Sequence, residues 1–239
     1  GDVTARAGSV DIDARSSFAM GTVSATGGDV KVVAQGDLGF SSLFASSSPG
    51  GAEGKIEASS LTGGISGGSA SADGKLVLNA QRDIRSAGLG KSTNGLVLLS
   101  TVAGDIAWGH AESGATFTAL ASAGSIDLGS ATSLGAQYLR AAQNVAFSNL
   151  LSSMGGVTAN AVGGVLAGGS VMAMGDVSLT AHGGITSTGT AKSSSGAVSL
   201  LSTAGNVDWA LVEAGGTFTA RADAGSISLG SATSVSLQT

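Results

Sequence analysis

Apolar and polar residues alternate along much of this chain in bursts of four or five positions, many of them opening at a glycine. Gly28-Asp-Val-Lys-Val, Gly74-Lys-Leu-Val-Leu, Gly124-Ser-Ile-Asp-Leu and Gly175-Asp-Val-Ser-Leu are examples. Alternation at period two predicts short β-strands with Val, Ile and Leu on one face and Ser, Thr, Asp and Lys on the other. Gly95, Gly104, Gly114 and Gly124 fall about ten residues apart, as do Gly196, Gly205, Gly216 and Gly225. Ten residues hold one strand and one turn. Glycine at the start of each unit is expected to supply a positive-φ turn, and the Asp or Asn after it to hydrogen-bond the turn backbone. Helical spacing of apolar residues is rare, and glycine is too frequent for helix interiors.

A longer repeat contains the short one. Residues 95–133 and 196–234 align without a gap, with more than half of the positions identical, including Trp108 with Trp209 and the Thr-Phe-Thr-Ala runs at Thr116 and Thr217. The offset is 101 residues, and it extends upstream through Gly74 with Gly175 and Lys91 with Lys192. The long repeat therefore covers approximately 50–139 and 151–239. Near the start, Thr-Ala-Arg-Ala-Gly-Ser-Val-Asp-Ile from Thr4 is similar to the segment from Thr219, as if an earlier copy ended there. Two ten-residue units make a coil of about 20 residues, a common size for solenoid repeats. The predicted fold is all-β: a right-handed parallel β-helix forming a single segment over residues 1–239. About twelve coils at 4.8 Å spacing would span roughly 55–60 Å.

Composition agrees. Forty glycines, one proline and only 4% aromatic residues leave a core of small and β-branched side chains. With 42% hydrophobic residues and a net charge of only −5, the chain is not of the disordered type. Mild acidity and eleven scattered basic residues argue against a nucleic-acid partner. No apolar run approaches the length of a membrane-spanning helix. The chain starts at Gly1 with no signal-like segment, which suggests an internal fragment of a longer filament. The absence of cysteine suits either a cytosolic or an exported protein.

The tandem Gly-x-aliphatic-x-aliphatic units, Gly28-Asp29-Val30, Gly104-Asp105-Ile106, Gly175-Asp176-Val177, Gly205-Asn206-Val207 and Gly225-Ser226-Ile227, resemble those of the filamentous haemagglutinin family. These are exoproteins of two-partner secretion in Gram-negative bacteria, including contact-dependent inhibition filaments. The resemblance covers nearly the whole chain. It implies a β-helical shaft secreted through a dedicated outer-membrane transporter and displayed at the cell surface. The implied roles are adhesion to a host or target-cell receptor or glycan, or presentation of a distal effector.

Candidate chemistry is sparse. β-Helices also host polysaccharide lyases and hydrolases, which need paired carboxylates on one outer face. Asp11 and Asp13 at i, i+2 fit that spacing. In the repeats their counterparts read Asp127 and Gly129, then Ser228 and Gly230, so a solvated strand face is the preferred reading. His110 has Glu112 nearby, but Leu211 takes its place in the second copy; His182 precedes two glycines as a turn residue would. No catalytic, cofactor or metal residue is assigned, and no cofactor is expected. Alternation places Trp108, Trp209, Phe117 and Phe218 inside rather than on a ligand platform. Thr116/Thr118 and Thr217/Thr219 make two Thr-x-Thr pairs, too few for a flat ice-binding face. Residues 41–54 and 63–73 break the rhythm and are predicted as surface loops, the first a possible contact site with Leu43 and Phe44 beside it. Open strand edges predict end-to-end self-association of the chain.

Overall fold

The computed structural model describes residues 1–48 and 51–236, and these contain strands but no helix. They divide into two compact units, Gly1–Ala123 and Gly124 onwards. Unit 1 holds β1 (Val3–Ala5), β2 (Val10–Ala14), β3 (Phe18–Thr26), β4 (Val30–Ala34), β5 (Leu38–Ser46), β6 (Ile56–Ser60), β7 (Ile65–Ala72), β8 (Leu76–Ala80), β9 (Ile84–Ser92), β10 (Val97–Thr101), β11 (Ile106–Ser113) and β12 (Phe117–Ala121). Unit 2 holds β13 (Ile126–Ser133), β14 (Gln137–Ala141), β15 (Val145–Ser152), β16 (Val157–Ala161), β17 (Leu166–Ala173), β18 (Val177–Ala181), β19 (Ile185–Ser193), β20 (Val198–Ser202), β21 (Val207–Ala214), β22 (Phe218–Ala222) and β23 (Ile227–Ser234).

In each unit the odd-numbered strands form one parallel sheet and the even-numbered strands another, each strand pairing with the next of its own kind. This is a parallel β-solenoid with about 20 residues per coil: Val10 pairs with Val30, Val97 with Phe117 and Val157 with Val177. From β8 to β18 the chain advances ten strands, or five coils, so the 101-residue repeat is a whole number of coils.

Each coil contains one five-residue strand and, past the first, one of eight or nine. The five-residue strands alternate as expected, with Val97, Leu99 and Thr101 or Val177, Leu179 and Ala181 turned inward. The longer strands do not keep one phase. In β13 the buried positions are Ile126, Leu128, Ala131 and Ser133, with Gly129 and Ser130 between them half exposed. One extra residue at mid-strand resets the alternation, so a longer strand is two straight runs joined by a bend. The register is irregular at this point between Trp108 and His110, Gly67 and Ala70, and Gly168 and Val171.

The inward faces stack as aliphatic ladders. Ile126, Val145, Leu166, Ile185 and Val207 form one such ladder in unit 2. Trp108, Trp209, Phe117 and Phe218 are buried core residues, as alternation requires. The ring of Phe40 lies against Gly67, that of Phe147 against Gly168, and the indole of Trp108 against Gly90. In the second copy Ala191 stands where Gly90 does. The Nε1–H of Trp108 donates to the His110 carbonyl at 2.9 Å, whereas that of Trp209 has no partner among the described residues.

Several expectations need correction. Only Gly8 and Gly27 among the described residues have positive φ, so the recurrent glycines do not serve mainly to reverse the chain. They permit close approach between coils. A Cβ on Gly104 would lie 2.4 Å from Asp83 Oδ1, and one on Gly196 would lie 2.3 Å from Asp176 Oδ1. Those carboxylates do not close their own turns. They accept backbone N–H groups one coil on: Asp105 N–H to Asp83 at 2.8 Å, and Ala197 N–H to Asp176 at 2.7 Å. Asn144 and Asn206 do the same for Val165 and Ser226.

Serine is not confined to the outer face. Ser92, Ser113, Ser152, Ser193 and Ser202 are buried at strand ends. Ser193 Oγ donates to the Gly175 carbonyl at 2.7 Å and accepts the Gly196 N–H at 2.8 Å, joining one turn to the turn beneath. A buried hydroxyl with both roles filled avoids the desolvation cost of an unpaired polar group.

Neither predicted loop is wholly a loop. Residues 41–46 belong to β5, with Leu43 buried and Phe44 exposed. The insertion follows Ser46 and lengthens this coil, since Val30 pairs with Ile56 and Leu38 with Ile65. Its first residue is tied down, with Ser47 N–H and Oγ both donating to Asp73 Oδ2 at 2.8 and 2.6 Å. Pro49 and Gly50, part of the predicted 41–54 loop, lie outside the described residues. Most of 63–73 is strand β7, whose glycines make room for Phe40 and for the Ser41 carbonyl. The similarity between the segments at Thr4 and Thr219 also lacks a structural counterpart. Thr4 is in β1 and Val10 in β2, while Thr219 is in a five-residue strand and Ile227 in an eight-residue one, so the two segments occupy opposite sheets.

Candidate functional site

Asp11 and Asp13 lie on the exposed face of β2. Because β2 is a short strand, their structural equivalents are Lys31 and Val33 on β4, then Glu57 and Ser59 on β6, not Asp127 and Gly129. The position therefore changes charge from coil to coil. Asp11 meets Lys31 at 3.9 Å, both side chains largely exposed. Among the described residues, no further side chain pairs with Asp11 or Asp13 in the manner of an enclosed acid/base site.

His110 is half exposed, its Nε2 lying 3.3 Å from Glu112 Oε1. Glu112 also pairs with Lys91 at 3.0 Å, and in the second copy Lys192 and Glu213 pair at 2.7 Å with Leu211 in place of the histidine. The Lys–Glu pair is thus the retained feature, and it spans neighbouring strands at partnered positions. His182 sits in a turn, its Nδ1 2.9 Å from Thr203 Oγ1 one coil on. Among the described residues, no three of His, Cys, Asp and Glu cluster closely enough to hold a metal ion.

The electrostatics are those of strand-to-strand stitching. The backbone N–H of Asp105 and then the Arg85 guanidinium hold the Asp83 carboxyl below the ordinary carboxylate range. Lys75 does so for Glu57, Lys91 and then His110 for Glu112, and the Ser47 hydroxyl and N–H for Asp73. Each of these shifts is downward, away from the raised value a general acid uses at neutral pH.

Unit 2 carries an open groove of about 850 Å³ along the bends of its longer strands. Its floor is made by small residues such as Ala167, Gly168 and Gly169, with Thr186 and Ser187 beside them. Asp127 and Asp208 line it from β13 and β21. These strands are four steps apart in the sheet, about 19 Å at 4.8 Å per step. Two-carboxylate hydrolysis of a glycosidic bond works at roughly 5–9.5 Å.

The sequence reading missed the groove and the buried amide of Gln137. Gln137 fills a ladder position taken by Val157 on the next coil, and its Nε2 donates to the Ala131 and Leu151 carbonyls at 3.0 and 2.7 Å. A polar residue at an inward phase was the available signal. The described residues contain no helix long and apolar enough to cross a membrane. No family model matches the chain, nor does any curated protein or any solved structure.

Proposed function

We propose that this chain is a non-catalytic β-helical segment of a secreted bacterial surface filament, acting in adhesion or as a spacer that presents a distal effector. The observation that carries the reading is the integral repeat. A 101-residue block equal to five coils recurs with many of its inward residues kept, including Ile84/Ile185 and Trp108/Trp209, and with some of its inter-coil contacts, the Ser92–Gly74/Ser193–Gly175 bonds and the Lys91–Glu112/Lys192–Glu213 pairs. Its outward residues change, as at Asp127/Ser228 and His110/Leu211. Duplication on those terms adds length and leaves the interior lattice unchanged. Export through a dedicated outer-membrane transporter and contact with a host or target-cell receptor or glycan follow from the family resemblance.

The competing reading is a polysaccharide lyase or hydrolase. It requires convergent carboxylates acting as acid and base; Asp11 and Asp13 are solvated, Asp127 and Asp208 are widely separated in the groove, and Asp83 and Asp105, which meet at Arg85 at 2.9 and 4.0 Å, are engaged with that guanidinium, the Asp83 carboxyl held below its ordinary range. Two measurements test the proposal. A screen against pectins, glycosaminoglycans and other glycans is expected to give no turnover; activity abolished by Asp11→Asn or Asp13→Asn overturns it. Deletion of residues 75–175, one full repeat that leaves Gly74 joined to Asp176, is expected to give a chain with the same β-rich circular dichroism. Loss of folding on that deletion removes the argument from an integral repeat.

A further inference from the structure

One outward face of unit 2 departs from the rest of the lattice. At the outward position next to the end of the longer strands, unit 1 runs Ser71, Lys91 and Glu112 on successive coils. In unit 2 the same ladder runs Thr132, Leu151, Met172 and Lys192. The turns just beyond continue the apolar surface. Leu134, Met154 and Met174 lie in these turns on successive coils, with Met154 N–H donating to the Leu134 carbonyl at 2.8 Å and Met174 N–H to the Ser152 carbonyl at 3.2 Å. Tyr138, the second residue of the adjoining short strand β14, is exposed.

These six side chains are 39–71% exposed, Met154 the most. Three of the four methionines of the chain are among them. One repeat earlier, Met154, Met172 and Met174 read Glu53, Ser71 and Asp73. Ser71 and Asp73 stand at the places of Met172 and Met174, so the coil lattice accepts polar residues there, while Glu53 lies in the insertion that follows Ser46. The patch ends at Thr132 on one side and at the Lys192–Glu213 pair on the other.

We infer that this face is a lateral interface at which two copies of the chain pack about a two-fold axis. The patch offers about 600 Å² per copy, taking roughly 200 Å² for a large side chain. Two copies would then bury about 1,200 Å², above the roughly 1,000 Å² a specific contact needs. A two-fold contact sets the patch against itself and closes at the dimer. Flexible thioethers suit such a face, because they fill the gaps between two sets of strands of equal spacing. The contact differs from end-on stacking, which would use sheet edges and leave these side chains open. It also adds to the spacer reading, since it pairs filaments side by side.

The test is sedimentation velocity of the full 239-residue chain from low micromolar to near-millimolar concentration, beside the triple variant Met154→Glu, Met172→Ser, Met174→Asp. That variant installs the other copy's residues at Met172 and Met174 and a charge at the 71% exposed Met154, so folding is expected to survive, as circular dichroism would verify. The expected result is a mass rising toward twice the monomer in the parent and a monomer throughout in the variant. In the parent, peroxide oxidation of Met154, Met172 and Met174 should slow several-fold on concentration, with the buried Met20 unchanged. A monomer at every concentration overturns the inference. So does association that the triple variant retains, the pattern that end-on stacking gives. Binding to phosphatidylcholine vesicles that is lost in the variant, without dimerisation of the parent, assigns the face to lipid and also overturns it.

Discussion

Replacing Ile126 by Asp tests the inward ladder most directly. Ile126 is 1% exposed and pairs in register with Val145, itself fully buried. Removing the branched side chain from such a site costs about 2–5 kcal/mol in lost burial and residual cavity. The introduced carboxylate has no cation in the ladder, and leaving it ionised there costs several kcal/mol more unless it takes up a proton. The total, about 5 kcal/mol or more, rivals the 5–15 kcal/mol stability of an ordinary domain. The adjacent Asp127→Ser is the control. Asp127 is exposed, and Ser228 occupies its place in the second copy, so a change within about 0.5 kcal/mol is expected. Thermal and urea melts followed by circular dichroism at neutral pH read both variants. Ile126→Asp should unfold unit 2 or lower its midpoint sharply, with Asp127→Ser matching the parent. A neutral Ile126→Asp together with a severe Asp127→Ser would reverse the facing assignment and refute the reasoning.

Two further outcomes follow from the inter-coil contacts. Gly104→Ala places a methyl 2.4 Å from Asp83 Oδ1 and 2.5 Å from the Arg82 backbone, so a loss of about 2 kcal/mol is expected in a denaturant melt. Gly39→Ala, whose nearest neighbour is Ala19 Cβ at 3.6 Å, should be near neutral, and equal effects would show that close approach is not what selects glycine. The carboxyls of Glu57, Asp73, Asp83 and Glu112 are all held below their ordinary values in the folded chain. Their contribution is present above the unfolded values near pH 4 and is lost as pH falls through the folded values. The melting temperature should therefore be flat from about pH 5 to 8 and fall below about pH 4, with a shallower fall in Asp83→Asn; a rise on acidification would contradict the sign.

Sequence alone determined the coil. A period-two pattern restarting every ten residues specifies short strands with one buried face, and a 101-residue near-duplicate admits only a fold that repeats its cross-section. The inward placement of Ile126, Phe117, Trp108 and Trp209 was legible for the same reason, since neighbours two apart on a strand share a face. What lies on the coil above or below is not a local property, and there only the tertiary structure decided. Gly104 is glycine because Asp83, more than twenty residues away, occupies the space of a Cβ. Ser193 is buried because two turns bring Gly175 and Gly196 to its hydroxyl. The bend in β13 shifts the alternation by one residue, which a strict pattern reads as a break, and residues 63–73 were read as a loop because glycine beneath the Phe40 ring looks the same in sequence as glycine in a turn. The segments at Thr4 and Thr219 share residues yet lie in opposite sheets, because a five-residue alternating run fits either. The apolar face at Met154, Met172 and Met174 was equally hidden: these residues are scattered along the chain and become one surface only when the coils stack in register.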